Sequence, residues 1–342
     1  LKEDFINFSD IIFCFFYIFR RKKFYIEYSN YKKWNLSNII KEDFSRYANF
    51  QAILVSILNY CFAKNLNKKN IKLKKIINWF ENTTVDKGWN FGFRKFYPNT
   101  PVLGYQGYTL YRQFICLHPS NAEYLFKVIP NKIIVIGKAY KKIRKEFCKN
   151  LKIDVGPALR FDHLFSLKHK TDSKKKYDIL ASLNIDKEVS KKILLDIINS
   201  KWCKLGKKIY VKSHPLMPLS KIIAINEVPK NLIELKGDFF TIAKNSKVII
   251  SAGISSSILE SFVCGCAILI PEVSRNDHQD FKYLKIPRVS YKICKSIDEL
   301  DKGIEYFINE KKKDAKKRMK KMLLLKSKLF EKTTSRNLNI FL

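Results

Sequence analysis

The residue types best suited to chemistry gather in two short stretches of the second half of the chain. Residues 244–271 read KNSKVIISAGISSSILESFVCGCAILIP, and residues 207–215 read KKIYVKSHP. In the longer stretch a β-branched run at 247–250 leads to Gly253 and then to Ser255, Ser256 and Ser257. Ile258, Leu259, Phe262 and Val263 keep helical spacing until Gly265, after which a second apolar run begins at Ala267. The pattern predicts strand, small-residue turn, helix, strand. A turn of that kind offers unpaired backbone N–H groups and hydroxyls at a helix start, where the helix dipole favours an anion. A phosphate is the natural occupant, and an ordinary N-cap is the plain reading of the same serines. The shorter stretch is another apolar strand, ending on Lys212, His214 and Pro215. In an open parallel sheet the two strand ends face one crevice.

A third stretch, residues 79–98, reads WFENTTVDKGWNFGFRKFYP. Glu81, Asp86, Lys87 and Arg94 sit there among Trp79, Phe80, Trp89 and Phe91, with Gly88 and Gly92 between them. A carboxylate held among aromatic rings at a strand end has a shifted pKa and can act as a general base. A surface loop with ion pairs is the competing reading. Farther on, Arg160 lies in DVGPALRFDHLF, residues 154–165, beside a Gly-Pro break. It is read either as a phosphate clamp at a cleft between two units or as a solvated side chain.

The elements that must position these groups are those of an α/β chain. A buried helix is expected at 50–63, strands at 71–80, 100–108 and 129–137, and a basic helix at 138–149. After the Gly-Pro break and a lysine-rich run at 168–176 the pattern restarts. Strands are expected at 177–183, 208–212, 232–235, 248–250 and 267–270, with a helix at 189–199. From Ser296 onward the sequence is helical, first amphipathic at 298–310 and then strongly basic at 311–329. The 342 residues suffice for two units. Expected are an N-terminal acceptor-side α/β domain at 1–155, a hinge at 156–176, and a C-terminal nucleotide-binding domain with a helical tail at 177–342. The chain opens on Leu1 rather than Met, so the first domain is expected to be truncated at its start.

Composition bounds the partners. With 46% hydrophobic residues the chain is globular, and 66 Lys and Arg against 31 Asp and Glu give a formal charge of +35. Such a charge attracts anionic lipid surfaces and phosphorylated substrates. Lysine, asparagine, isoleucine and phenylalanine are all abundant together, so compositional bias competes as the origin of the charge. The cations are spread along the whole chain and no nucleic-acid motif accompanies them, so no nucleic-acid partner is expected. None of the eight cysteines forms a CxxC pair and the five histidines lack ligand spacing, so no metal is expected. The cysteines read as small buried hydrophobes in a reducing compartment. Residues 11–19, IIFCFFYIF, precede Arg20, Arg21, Lys22 and Lys23. They are too few to span a bilayer and no small-residue cleavage site follows. A buried strand or helix is expected, with a membrane-surface anchor as the competing reading there, and again for the basic tail.

With these residues in view, the C-terminal half resembles the nucleotide-sugar donor domain of GT-B glycosyltransferases: a strand, Gly253-x-Ser255-Ser256-Ser257, Glu260 on the helix, Gly265 and a buried strand. Lys212-x-His214-Pro215 with the serine cluster is similar to the paired HP and S/S motifs of bacterial CMP-sugar transferases of the sialyl and Kdo type. The 79–108 stretch together with GPALRF resembles bacterial surface carbohydrate biosynthesis proteins. The resemblance implies two Rossmann-like domains facing across a cleft. The implied activity is transfer of a sugar from a CMP-activated donor to a glycan or lipid-linked acceptor of capsule, O-antigen or lipopolysaccharide. The implied setting is the cytoplasm, with peripheral contact at the inner membrane, and no cofactor beyond the donor is implied. His214 and the three serines would contact the nucleotide phosphate, supported by Lys212, Pro215, Gly253 and Arg160, and Glu260 would reach the ribose. Glu81, with Asp86 behind it, would take the acceptor proton, and Lys87, Arg94 and Gln106 would lie on the acceptor side. The second His-Pro pair, His118-Pro119, is read as structural. A CDP-glycerol-type glycerophosphotransferase and a sugar-nucleotide epimerase are the competing enzymes. A basic non-enzymatic protein binding membrane or nucleic acid is the competitor from another class.

Overall fold

The computed structural model describes every residue except 22–29, 32, 46–49, 110, 113, 167–174, 254 and 274–278. The chain opens on a 3-10 turn and two helices, α1 (Phe8–Phe15) and α2 (Tyr17–Arg21). A two-stranded ladder, β1 (Asn30–Tyr31) with β2 (Trp34–Asn35), and helices α3 (Ser37–Ser45) and α4 (Phe50–Lys68) follow. Next come β3 (Ile76–Trp79), α5 (Thr84–Phe96), β4 (Val102–Gln106), α6 (Asn121–Leu125), β5 (Lys132–Val135), α7 (Lys138–Arg144) and β6 (Lys152–Val155). These four strands form one parallel sheet in chain order.

A 3-10 helix at Leu159–Ser166 connects to the second unit. Its elements are β7 (Tyr177–Ser182), α8 (Lys187–Asn199), α9 (Lys201–Lys204), β8 (Ile209–Lys212), β9 (Leu232–Glu234), α10 (Phe239–Ala243) and β10 (Ser246–Ile250). They continue with α11 (Ser256–Val263), β11 (Ala267–Pro271), α12 (Gln279–Tyr283), β12 (Tyr291–Cys294) and α13 (Ile297–Ile308). The strands pair in parallel in the order β12-β11-β10-β7-β8-β9. The order runs outward both ways from the β7–β10 pair, which makes that pair the topological switch point where open α/β sheets bind ligands. The chain ends with α14 (Lys312–Leu329) and α15 (Ser335–Leu338).

The inner strands β4, β5, β10 and β11 are mostly apolar runs because both of their faces are buried. Ile133, Ile134 and Val135 are fully buried, as are Val248, Ile249 and Ile250. One apolar core continues through both units, and a smaller one lies between α4, α5 and β3. Of the eight cysteines all are free and seven are buried.

Several expectations need correction. Residues 79–98 are not a loop: helix α5 occupies Thr84–Phe96. Its two glycines hide it from propensity, and they are there for packing. A Cβ at Gly88 would stand 1.7 Å from the Ser56 carbonyl oxygen, and one at Gly92 3.0 Å from Tyr60 Cα, so α4 and α5 approach backbone to backbone. The apolar run at 11–19 is helical but not buried, since Asp10 and Cys14 face inward while its aromatic side chains face solvent. The expected hinge is packed structure, with Phe161 and Leu164 buried. Residues 168–174 of the lysine-rich run, and Lys22 and Lys23, lie outside the described residues.

The tail is the last correction. It is expected with the second domain, but α14 bridges the two, docking Arg318 on the Gly265 carbonyl at the end of α11 (2.6 Å) while its last residue packs against Gly137 at the start of α7. Beyond α14 the chain returns to the first sheet. The Glu331 N–H donates to Ile136 and the Ala158 N–H donates to the Glu331 carbonyl, at 2.7 and 2.8 Å, Phe330 meets Phe161, and Phe341 meets Tyr105.

Candidate active site

The serine turn sits where the sequence placed it, between β10 and α11. Ser255 is the N-cap of α11, and its hydroxyl lies 3.3 Å from the Ser257 N–H and 2.7 Å from the Ser257 hydroxyl. The Ser256 hydroxyl has no partner among the described residues. Gly253 has φ +73°, and a Cβ there would meet the Asn184 amide at 2.9 Å, so the turn requires glycine twice over. Ser182 ends β7 and donates to Ser257 at 3.5 Å, while Ser251 donates to the Ser182 carbonyl at 3.1 Å. The result is a hydroxyl-lined helix start bound to the neighbouring strand end.

The HP segment lies on the same edge of the same sheet. Ser182 is in register with Lys212, so β8 delivers Lys212 and His214 beside the end of β7, on the side away from β10. One strand therefore separates imidazole and serine turn, a backbone spacing of about 10 Å. His214 Nδ1 accepts the Leu216 N–H at 3.2 Å, which leaves the proton of the neutral ring on Nε2 as a donor. Burial, and then Lys212, hold the His214 pKa below the ordinary histidine value. Lys212 Nζ donates to the Ser213 carbonyl at 3.1 Å, and Pro215 is exposed.

Glu260, on α11, is gathered with two residues of the connecting 3-10 helix. His163 Nε2 is 3.4 Å from Glu260 Oε2, and Arg160 is near enough to act on the carboxylate. Burial pushes the Glu260 pKa up, against the pull of His163 and Arg160. His163 also packs its ring on Phe240, 4.5 Å between centroids.

The first domain presents its own strand ends opposite. Tyr111, in the loop after β4, donates its hydroxyl to the Ser255 carbonyl at 2.5 Å. That contact brings the carboxyl-terminal edges of the two sheets face to face, with the serine turn between them. Glu81 lies two residues past the end of β3; it is exposed, and one carboxylate oxygen accepts the Trp79 indole N–H at 2.8 Å. Asp86 is buried and engaged, accepting from the Thr83 N–H and hydroxyl (2.9 and 3.1 Å), the Glu81 N–H (3.2 Å) and Asn78 (3.3 Å). It closes the capping box of α5, and burial raises its pKa despite those donors. Lys87 is paired with Glu123 and Asn82. Arg94 donates to the Ile129 carbonyl at 3.1 Å, eight residues or about 12 Å further along α5 from the edge where Asp86 sits. Lys87 and Arg94 are thus structural in their contacts, and Arg94 stands away from the cleft.

Gln106, the last residue of β4, is fully buried. Its amide donates to the Tyr108 hydroxyl at 3.3 Å, and its carbonyl oxygen has no partner among the described residues. Beside Tyr108 lies Arg144, a guanidinium with no exposed surface, of which one nitrogen donates to the Leu117 carbonyl and which also interacts with the Tyr108 hydroxyl. Burial lowers the Arg144 pKa to about 10. Sequence reasoning missed Ser182, Asn184, Tyr111, His163 and Arg144. Only the first two left a signal, since polar residues directly after the apolar run of β7 repeat what is seen after β8 and β10. His118, the histidine of the second His-Pro pair, is buried with Nε2 3.0 Å from the Arg112 carbonyl, a packing position.

No family model and no curated protein matches the sequence. Solved structures do match by shape. A UDP-forming α,α-trehalose-phosphate synthase from Burkholderia xenovorans superposes with a TM-score of 0.51 at 11% identity, over 88% of this chain and 79% of that one. The enzyme from the same organism in complex with glucose-6-phosphate gives 0.50 at 7% identity, over 84% and 76%. An Escherichia coli trehalose-6-phosphate structure bound with UDP-2-fluoro glucose gives 0.50 at 8% identity, over 83% and 76%. The shared architecture is GT-B, two Rossmann-like domains facing across a cleft.

Proposed function

We propose that the chain is a glycosyltransferase of bacterial surface polysaccharide biosynthesis that takes a sugar from a nucleotide donor, CMP-linked, to a glycan or lipid-linked acceptor at the cytoplasmic face of the membrane. The observation that carries the reading is the placement of His214 and the serine turn on one carboxyl-terminal sheet edge, flanking β7 at the switch point. In the transfer, the acceptor hydroxyl oxygen bonds to the anomeric carbon as the bond from that carbon to the donor phosphate breaks. The acceptor proton passes to Glu81, the accessible carboxylate on the opposing edge, and the electron pair leaves on the phosphate. The His214 Nε2–H, the serine hydroxyls and the α11 N–H groups stabilise that charge. The superposed trehalose-phosphate synthases are UDP-forming by name, and it is the HP and serine pair that favours CMP here.

Calorimetric titration with CMP, UDP and CDP tests the donor class. CMP is expected to bind most tightly, and His214→Ala to weaken it by about tenfold or more, the worth of one charge-assisted donor. Preferential UDP binding would overturn the CMP assignment. Unchanged CMP affinity in His214→Ala would remove the phosphate contact. Release of CMP from CDP-glycerol, with glycerol phosphate passing to the acceptor, would favour the glycerophosphotransferase.

A further inference from the structure

Phe8, Ile11, Ile12, Phe15, Phe16 and Phe19 recur at spacings of three and four across α1 and α2, which puts them on one helix face. A helix packed on a domain ordinarily turns such a stripe inward. Here it points out: every one of the six is at least 39% exposed, and Phe8 reaches 76%. The orientation is held by a polar clamp on the opposite face. Buried Asp10 accepts Asn65 Nδ2 from α4 at 2.6 Å, and Asn65 also donates to the Phe5 carbonyl at 2.7 Å.

Next to the stripe lies an open apolar groove of about 640 Å³, lined by Phe13, Tyr17, Ile57, Tyr60 and Phe91, with Arg20 at its rim. It runs on past Phe13 and Tyr60 into a second hollow edged by Lys64 and Lys68. Arg20 sits over the Phe13 ring at 3.9 Å, and Lys95 over Tyr60, Phe91 and Phe96 at 5.5 to 5.8 Å. Cations on long stems, level with exposed rings, suit the boundary between acyl chains and anionic headgroups. A second copy of the chain would set the same cations against each other. Spanning is excluded by length, because α1 and α2 together cover about 21 Å against a hydrocarbon core of about 30 Å. Among the described residues no helix is long and apolar enough to cross a membrane.

We propose that the α1–α2 stripe and its cationic rim seat the first domain on the surface of an anionic phospholipid bilayer, lying in the headgroup plane. This deepens the transferase reading and rests on it only for its purpose. The groove reaches Gly88, about 6 Å along α5 from the helix start behind Glu81, so an acceptor anchored in the same leaflet would arrive beside the cleft.

The test is co-sedimentation of the full chain with vesicles of phosphatidylcholine, with and without phosphatidylglycerol. The wild type is expected to partition onto the phosphatidylglycerol vesicles, and Phe15→Ser/Phe16→Ser/Phe19→Ser to lose at least about tenfold of that partition with an unchanged melting temperature. Lys313→Ser/Lys317→Ser/Lys321→Ser on α14 serves as the control and should lose less than about threefold. Equal binding by the triple phenylalanine variant, or no binding by the wild type, overturns the proposal. So does a concentration-dependent dimer that the phenylalanine variant abolishes, since a second copy would then cover the stripe. Donor hydrolysis without vesicles separates the two readings: its absence in a wild type that still binds vesicles sinks the transferase and leaves the docking surface standing.

Discussion

Two carboxylates five residues apart, Glu81 and Asp86, divide the work between chemistry and structure. Asp86 spends its lone pairs on the start of α5, whereas Glu81 keeps one oxygen free of any described partner at the cleft edge. Glu81→Gln is therefore expected to abolish transfer while nucleotide affinity and melting temperature hold. Asp86→Ala should instead lower stability by about 1 kcal/mol through the lost helix start. Thermal melts beside nucleotide titration read both, and transfer surviving in Glu81→Gln would pass the base role to another group. Histidine ionisation gives a second residue-scale expectation. Burial lowers the pKa of His118 and of His214, so the folded state resists protons that the unfolded chain accepts. Stability then falls as pH drops below the unfolded value of about 6.5 and levels off below the folded values. Urea midpoints measured from about pH 8 to pH 5 should show this slope, and His118→Gln should flatten it. A slope unaltered by that change would assign the acid sensitivity elsewhere.

At the scale of elements, the second domain was more legible than the first. Its strands each carry a short, mostly apolar run bounded by polar residues, so 177–183, 208–212 and 248–250 match β7, β8 and β10 closely. The serine turn was legible for the same reason: its glycine and hydroxyls fall directly after one of those runs. Helix α5 was not legible, because Gly88 and Gly92 depress helix propensity and the reason for them lies 32 residues away, at Ser56 and Tyr60. Nor could Tyr111 be read, since its partner, Ser255, is 144 residues distant. The α4–α5 contact makes its own prediction. Gly88→Ala places a methyl group inside backbone contact distance of Ser56, and the helices must part, at a cost of about 1 to 3 kcal/mol. The drop in melting temperature should exceed that for Gly206→Ala, where nothing lies within 4 Å although the φ of +70° adds its own strain. Equal drops would mean that the close approach is not what the glycine serves.

Across the whole molecule, α14 and the segment after it act as a clasp. The helix holds α11 through Arg318, its end abuts α7 so closely that a Cβ at Gly137 would meet the Leu329 carbonyl at 2.2 Å, and Lys326 holds the connecting 3-10 helix by the Leu164 carbonyl at 2.6 Å. Truncation after Leu329 removes the Glu331 and Phe330 contacts with the first domain. It is expected to split a single melting transition into two, the first-domain transition falling, with donor binding in the isolated nucleotide assay retained. One cooperative transition in the truncated chain would show that the domains are coupled by other contacts. The clasp also has a consequence for synthesis. The N–H of Ala158 and the carbonyl of Ile136 receive Glu331 as their partner only after some 170 further residues have been added. The first sheet is therefore finished only after the second has been made, and the Ile136 carbonyl and Ala158 N–H wait unpaired with Glu331 until then.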